Sequence, residues 1–189
     1  MENADQPVAP LVRPALGTVL FVLFVGPGPV VGPVPYALSG WQVRAPLFDG
    51  TSSRWLGAAL LGLGVPLLGD ALVRFVRQGR GTPAPVAPPA RLVVTGPYRH
   101  VRNPMYLGVV AMILGQAMIL GSRAVLAYGG IAAVAFHLFV LLYEEPNLRA
   151  RFGAEYIAYC RQVGRWIPRL TPAGTGPDTV SRLASGGPR

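Results

Sequence analysis

The sequence predicts an all-α, polytopic integral membrane protein, with about four transmembrane helices and a C-terminal amphipathic helix on the cytoplasmic side. Three observations carry this. Hydrophobic residues fill 51% of the 189 positions and charged residues only 13%, about half the roughly 25% of a soluble domain. Several windows approach the roughly 20 apolar residues that a helix needs to cross a bilayer. The arginines fall mostly on one side of those windows. The length suits one domain, expected over 1–170, with a Gly-, Pro-, Ser- and Thr-rich tail over 171–189 expected to be disordered. A single cysteine, Cys160, excludes an internal disulfide.

Within 1–170 the first two spans are expected in 14–76, a proline-rich cytoplasmic loop in 79–91, and the catalytic-type core in 92–170. Pro14 to Val43 carries no charge, but only Ala15 to Val25 reads as continuous helix before Gly26-Pro27-Gly28-Pro29. The remainder, through Pro33 and Pro35, is expected to be irregular, as an external loop or as a buried re-entrant piece. A cleaved signal peptide is the weaker reading of this first segment. Trp55 to Val73 is the second span, with Pro66 as a kink and Asp70 one turn from Arg74. Pro104 to Ser122 is the third, and Gln116 within it calls for an interhelical hydrogen bond. Ala124 to Tyr143 is the fourth, joined to the third by Gly121-Ser122-Arg123 alone, which forces an antiparallel hairpin. His137 in that span is expected to be neutral and hydrogen-bonded to a neighbouring helix.

With a cytoplasmic N-terminus, fourteen arginines lie inside. They are Arg13, six between spans two and three, and seven after span four. Arg44, Arg54 and Arg123 lie outside. This positive-inside bias places both termini in the cytoplasm. It also accounts for the net charge of +9 through topology and anionic headgroups, with no nucleic-acid partner.

The chemistry concentrates where the hairpin opens. Tyr98, Arg99, His100, Arg102, Asn103 and Tyr106 crowd the start of span three, with Asn103 as an expected helix cap and Pro104 in the first turn. These groups either cap and anchor the helix, or offer N–H groups and guanidiniums to an anionic ligand such as a carboxylate. Glu144-Glu145 ends span four, where two carboxylates oppose the helix dipole. They are either solvated among headgroups and nearby arginines or held for a ligand's hydroxyl or ammonium group. Leu148, Phe152, Tyr156, Tyr159, Val163 and Trp166 then recur at near-helical spacing, as a surface anchor or as a cap over the site. Two histidines, His100 and His137, make a protein-built metal site improbable, and no metal is expected. Cys160 has no histidine neighbour in sequence and reads as filler.

Gly96-Pro97-Tyr98-Arg99-His100-Val101-Arg102-Asn103-Pro104-Met105-Tyr106-Leu107-Gly108, then Glu144-Glu145-Pro146-Asn147-Leu148, then Phe152-Gly153-Ala154-Glu155-Tyr156, Tyr159 and Trp166-Ile167-Pro168 resemble one family. It is the isoprenylcysteine carboxyl methyltransferase and phospholipid methyltransferase superfamily of integral-membrane enzymes, and the match covers about residues 79–170. The resemblance implies an enzyme that uses S-adenosylmethionine without a soluble Rossmann domain. It also implies a lipid-like or prenylated acceptor reached from the membrane, with membrane lipids as partners.

Carried over by position, the resemblance makes Gly96, Tyr98, Arg99, His100, Asn103, Pro104, Tyr106, Glu144, Glu145, Tyr156 and Tyr159 the cofactor site, and Arg102, Asn103 and Glu144 the catalytic set. Asn103 stands where the family usually has histidine, so that position cannot accept a proton here, and His100 is the alternative. Carboxyl O-methylation leads, with phospholipid N-methylation and thiol S-methylation as alternatives. A non-catalytic membrane scaffold is the reading from a different class, and a transporter is disfavoured by the lack of paired repeats.

Overall fold

The computed structural model describes residues 26–48, 51–79 and 92–172. The predicted first helical span, nearly all of the proline-rich loop and nearly all of the tail lie outside the described residues. What is described is helical, with no β-strand; a single bridge pairs Val101 with Gly164.

The stretch expected to be irregular instead forms two short helices, α1 (Pro27–Val31) and α2 (Pro33–Ser39). Pro27 and Pro33 each fall in a first turn, where proline's fixed φ suits the helix and its missing N–H costs nothing. These turns are packed. The Gln116 amide donates to the Val31 carbonyl at 2.9 Å and the Tyr128 hydroxyl to that of Val30 at 3.1 Å. Gln116 thus makes the cross-helix bond its sequence context called for.

Three longer helices follow: α3 (Ser52–Gly79), α4 (Pro104–Leu120) and α5 (Arg123–Phe139). Asp70 and Arg74 pair within α3 at 2.9 Å. The α4–α5 turn is as tight as predicted. Gly121 ends α4 at φ 65°, a conformation that favours glycine, and Ser122 caps α5 by accepting from the Val125 N–H.

Pairs of glycines set how closely α3 and α4 approach. A Cβ on Gly57 would lie 2.7 Å from the Gly115 carbonyl oxygen, and one on Gly64 would lie 2.9 Å from that of Gly108. The converse distances are 2.8 and 3.0 Å. The seam is therefore backbone against backbone, as in small-residue packing of membrane helices. Beside it, Leu68, Val109, Ile113, Ala117, Val125 and Ala132 form the buried core shared with α5.

Ser52–Phe75 and the continuous helical run Arg123–Gln162 are long and apolar enough to cross a membrane. Only 22% of each run's apolar window is buried within the protein, which distinguishes both from core helices of a soluble domain. Trp55, Leu63 and Val65 on α3, and Ile131, Val134 and Leu142 on the second run, are exposed, as lipid-facing residues are. At 17 residues, α4 spans about 25 Å. Among the described residues there are thus two helices of membrane length and one shorter apolar helix, and the first of the four expected spans lies outside them.

The fourth predicted span also fails to stop at Tyr143. A π-helical turn, Val140–Glu144, joins α5 to α6 (Glu145–Gln162), and the Glu145 N–H reaches back to the Val140 carbonyl. Pro146 explains the wide turn. It brings no N–H, and its ring would clash with the carbonyl four residues earlier in regular α-helix. Inside α6, Gly153 at φ 50°, ψ −123° kinks the run. Beyond it, Tyr156, Tyr159 and Val163 pack against Leu92 and Val94. One face of this helix therefore packs on the segment that leads into α4, while Ile157 on it is exposed.

Candidate functional site

The two glutamates lie within a helical run, so the dipole argument drawn from a helix C-terminus does not hold. Their surroundings differ. Glu145 is 4% exposed and sits among arginines. Arg165 reaches its two oxygens at 2.6 and 2.9 Å, Arg102 binds Oε1 at 2.9 Å, and Arg149 stands at 3.5 Å. Two bonds from one guanidinium fix orientation as well as charge. Arg102 Nη1 also donates to Cys160 Sγ at 3.0 Å, while its Nε is buried without a hydrogen-bond partner among the described residues.

Glu144 accepts instead from a neutral group, the Tyr106 hydroxyl, at 2.9 Å. The Tyr106 ring packs on Phe136 at 5.0 Å and on Trp166 at 6.4 Å between centroids. The Trp166 indole N–H donates to His137 Nδ1 at 2.9 Å, which makes that nitrogen the unprotonated one. His137 is thus the neutral acceptor expected, although its partner lies on the chain beyond α6 and not on a neighbouring helix. Adjacent residues diverge throughout: Glu144 and Trp166 meet Tyr106, through its hydroxyl and its ring, while Arg165 joins Arg102 on Glu145.

The segment after α6 is laid across the start of α4. Arg102 N–H donates to the Gly164 carbonyl at 2.9 Å, and Arg169 N–H to that of His100 at 3.0 Å. His100 Nδ1 lies 2.7 Å from the Arg169 carbonyl, so it carries the proton and donates. Asn103 occupies the cap position, but its side chain does not cap. Nδ2 donates to the Arg165 carbonyl at 3.1 Å, which ties the returning strap to the start of α4.

The remaining predicted residues frame this arrangement. Gly96, at φ 56°, opens the turn Gly96–Arg99 against the Arg74 side chain. Tyr98 is buried beneath it, and its carbonyl accepts from the Tyr159 hydroxyl at 2.7 Å. Burial, with Tyr159 and Glu144 nearby, pushes the Tyr98 phenol up, so it acts as a neutral group. Tyr156 is buried beside Tyr159, and Pro104 is buried in the first turn of α4. The structure therefore joins Arg102, Asn103, Tyr106, Glu144 and Glu145 at one mouth and places Gly96, Tyr98, Tyr156 and Tyr159 behind it. Arg165, Phe136 and the Trp166–His137 contact were not among the predicted site residues. Both Arg165 and Trp166 lie beyond the helix end at Gln162; periodicity and the family motif drew attention to Trp166 but not to its His137 partner, and nothing singled out Arg165.

The family model described as Phospholipid methyltransferase matches residues 53–155. That is more than half of the chain, from the start of α3 to the middle of α6. The chain belongs to the phospholipid methyltransferase family. Membership accords with the all-helical structure and its membrane-length helices, and it places the chain among membrane methyltransferases. Methanethiol S-methyltransferase 2 of Bradyrhizobium diazoefficiens is 33% identical over 92 residues, which cover 49% of this chain and 34% of that protein. This phospholipid methyltransferase family member therefore spans about a third of that relative's length.

Proposed function

We propose that the protein transfers a methyl group from S-adenosylmethionine to a thiol on a small or amphiphilic acceptor at the membrane, with Glu144 receiving the thiol proton. The observation that carries the reading is the unequal pair of carboxylates. Glu145 faces three guanidiniums, which hold it ionised and engaged. Glu144 faces one neutral hydroxyl and is the better proton acceptor of the two. An acceptor carboxylate needs no base and would be repelled by Glu144. A thiol must lose a proton to become a strong nucleophile. The resemblance to a named thiol methyltransferase supports thiol over amine. The family's own description keeps a phospholipid amine as the second reading.

The residues at the mouth fit the methyl donor. The unpartnered buried Nε of Arg102 offers a donor to its carboxylate. Glu144 offers an acceptor to its hydroxyl or amino groups. The faces of Tyr106 and Trp166 suit a sulfonium cation. When bound, S-adenosylmethionine supplies an electrophilic methyl group. Tyr106 orients the Glu144 carboxylate, Glu145 holds Arg102 and Arg165 in place, and the strap over residues 100–103 limits water. Displacement at a sulfonium needs alignment and desolvation more than acid catalysis.

The test is equilibrium binding of S-adenosylmethionine to the protein in nanodiscs, followed by transfer of labelled methyl to a panel of thiol, phospholipid and carboxylate acceptors. Saturable binding with label on the thiols is expected. Label on the phospholipid alone would move the assignment to the amine reading. No binding by folded protein would leave a scaffold.

A further inference from the structure

The hairpin's closed end, one length of α4 from the mouth, carries a second cluster of positive groups. Arg44 and Arg123 line a cavity of about 290 Å³ together with Ala45, Pro46, Leu47, Gly121 and Ala124. Arg54 joins them by donating from Nη2 to the Arg44 carbonyl at 3.0 Å, and its Nε is buried without a partner among the described residues. These are the three arginines that the sequence separates from the other fourteen. Backbone groups add to the field. Ser122 satisfies the Val125 N–H, and the Leu126 N–H bonds to the Ser122 carbonyl. Arg123 and Ala124 occupy the first turn of α5, where N–H groups have no intrahelical acceptor. Both line the cavity, on the positive end of a 17-residue helix.

The described carboxylates, Asp70, Glu144, Glu145 and Glu155, belong to the mouth end. Asp49 is the one acid that the sequence supplies near Arg44 and Arg54, and it lies outside the described residues. We infer that this cavity binds a phosphate-type oxyanion, with Arg44, Arg123 and the first-turn N–H groups of α5 as donors. Its volume lies at the lower edge of ligand pockets and suits a headgroup rather than an acyl chain. Two sources share the chemistry: the phosphodiester of an anionic phospholipid and a free phosphate. The inference is independent of the acceptor proposed above.

The experiment uses the full chain in phosphate-free detergent. Calorimetric titration with inorganic phosphate is run beside native mass spectrometry after incubation with phosphatidylglycerol or with phosphatidylcholine. Saturable phosphate binding, or selective retention of phosphatidylglycerol, is expected; the first marks a soluble anion site and the second a lipid site. The double variant Arg44→Gln with Arg123→Gln should weaken either by about tenfold or more, since a charge-assisted hydrogen bond is worth roughly 1.5–3 kcal/mol. Arg123→Pro is the second variant. Proline suits the first helical position, and Ser122 before it is already extended at φ −97°, ψ 108°. The change removes a guanidinium and an N–H while preserving the turn, and it should weaken binding similarly. Neither ligand binding to folded wild type, or equal binding by folded Arg123→Pro, overturns the inference. Binding that emerges only in Asp49→Asn would also overturn it, with Asp49 as the native counter-ion.

Discussion

The two ends of the α4–α5 hairpin treat charge in opposite ways. At the open end Arg102 and Arg165 sit on Glu145 at 2.9 and 2.6 Å, with Arg149 beside them, so positive charge is answered by the protein itself. At the closed end Arg44 and Arg123 share a cavity that no described carboxylate enters. A buried ion cluster is expensive to break and holds geometry. Arg44 and Arg123 are exposed, and an exposed pair that no described carboxylate answers is a place for something else to bind. In the proposed function, the glutamate beside the satisfied cluster is the one that receives the proton, while its neighbour holds the arginines.

Four measurements break or sharpen this contrast. The largest effect is on rate: Glu144→Gln should lower methyl transfer by about 10²–10⁴-fold, the range for a positioned proton acceptor, while the thermal transition in detergent moves little. Glu145→Gln should do the reverse. It leaves Arg102 and Arg165 facing a neutral amide in a poorly solvated place, with a loss of about 3–5 kcal/mol, read as an earlier thermal transition with faster proteolysis near residues 163–170. An unchanged transition in that variant would show that the strap does not depend on the ion cluster. Gly108→Ala, whose new Cβ would sit 3.0 Å from the Gly64 carbonyl oxygen, should cost about 1–3 kcal/mol by overpacking, and the same assay checks it. Smallest is Trp166→Phe. It loses the bond to His137 and should cost about 1 kcal/mol, with a rise in KM for the methyl donor visible in initial-rate kinetics.

Much of the plan was legible in the sequence. Apolar length placed α3, α4 and α5, and a three-residue connection made the hairpin unavoidable. Local spacing gave the Asp70–Arg74 pair, and an isolated polar group in an apolar helix announced the Gln116 bond. Other features depended on geometry that spacing does not encode. Glu144-Glu145 read as the end of a helix, yet the chain absorbs Pro146 in one wide turn and continues. The prolines at 27 and 33 read as breakers, yet each begins a helix. The two glutamates looked equivalent because their difference comes from Arg102 and Arg165, 43 and 20 residues away from Glu145. The glycine seam left a trace, since Gly57 and Gly64 are spaced like Gly108 and Gly115. Only the pairing of α3 with α4 gives that trace meaning.

The π-turn acts as a phase adjuster. Each residue of an α-helix advances the side-chain direction by about 100°, so a turn that takes in one more residue resets the bearing of everything after it. Through Val140–Glu144 the run keeps α5 facing the core, aims Glu144 at Tyr106, and delivers Glu145 to Arg102. Shortening that turn by one residue would leave the composition of the mouth almost intact and rotate α6 out of register with it. The different surroundings of Glu144 and Glu145 are therefore written in the winding of one helix as much as in the identity of the two residues.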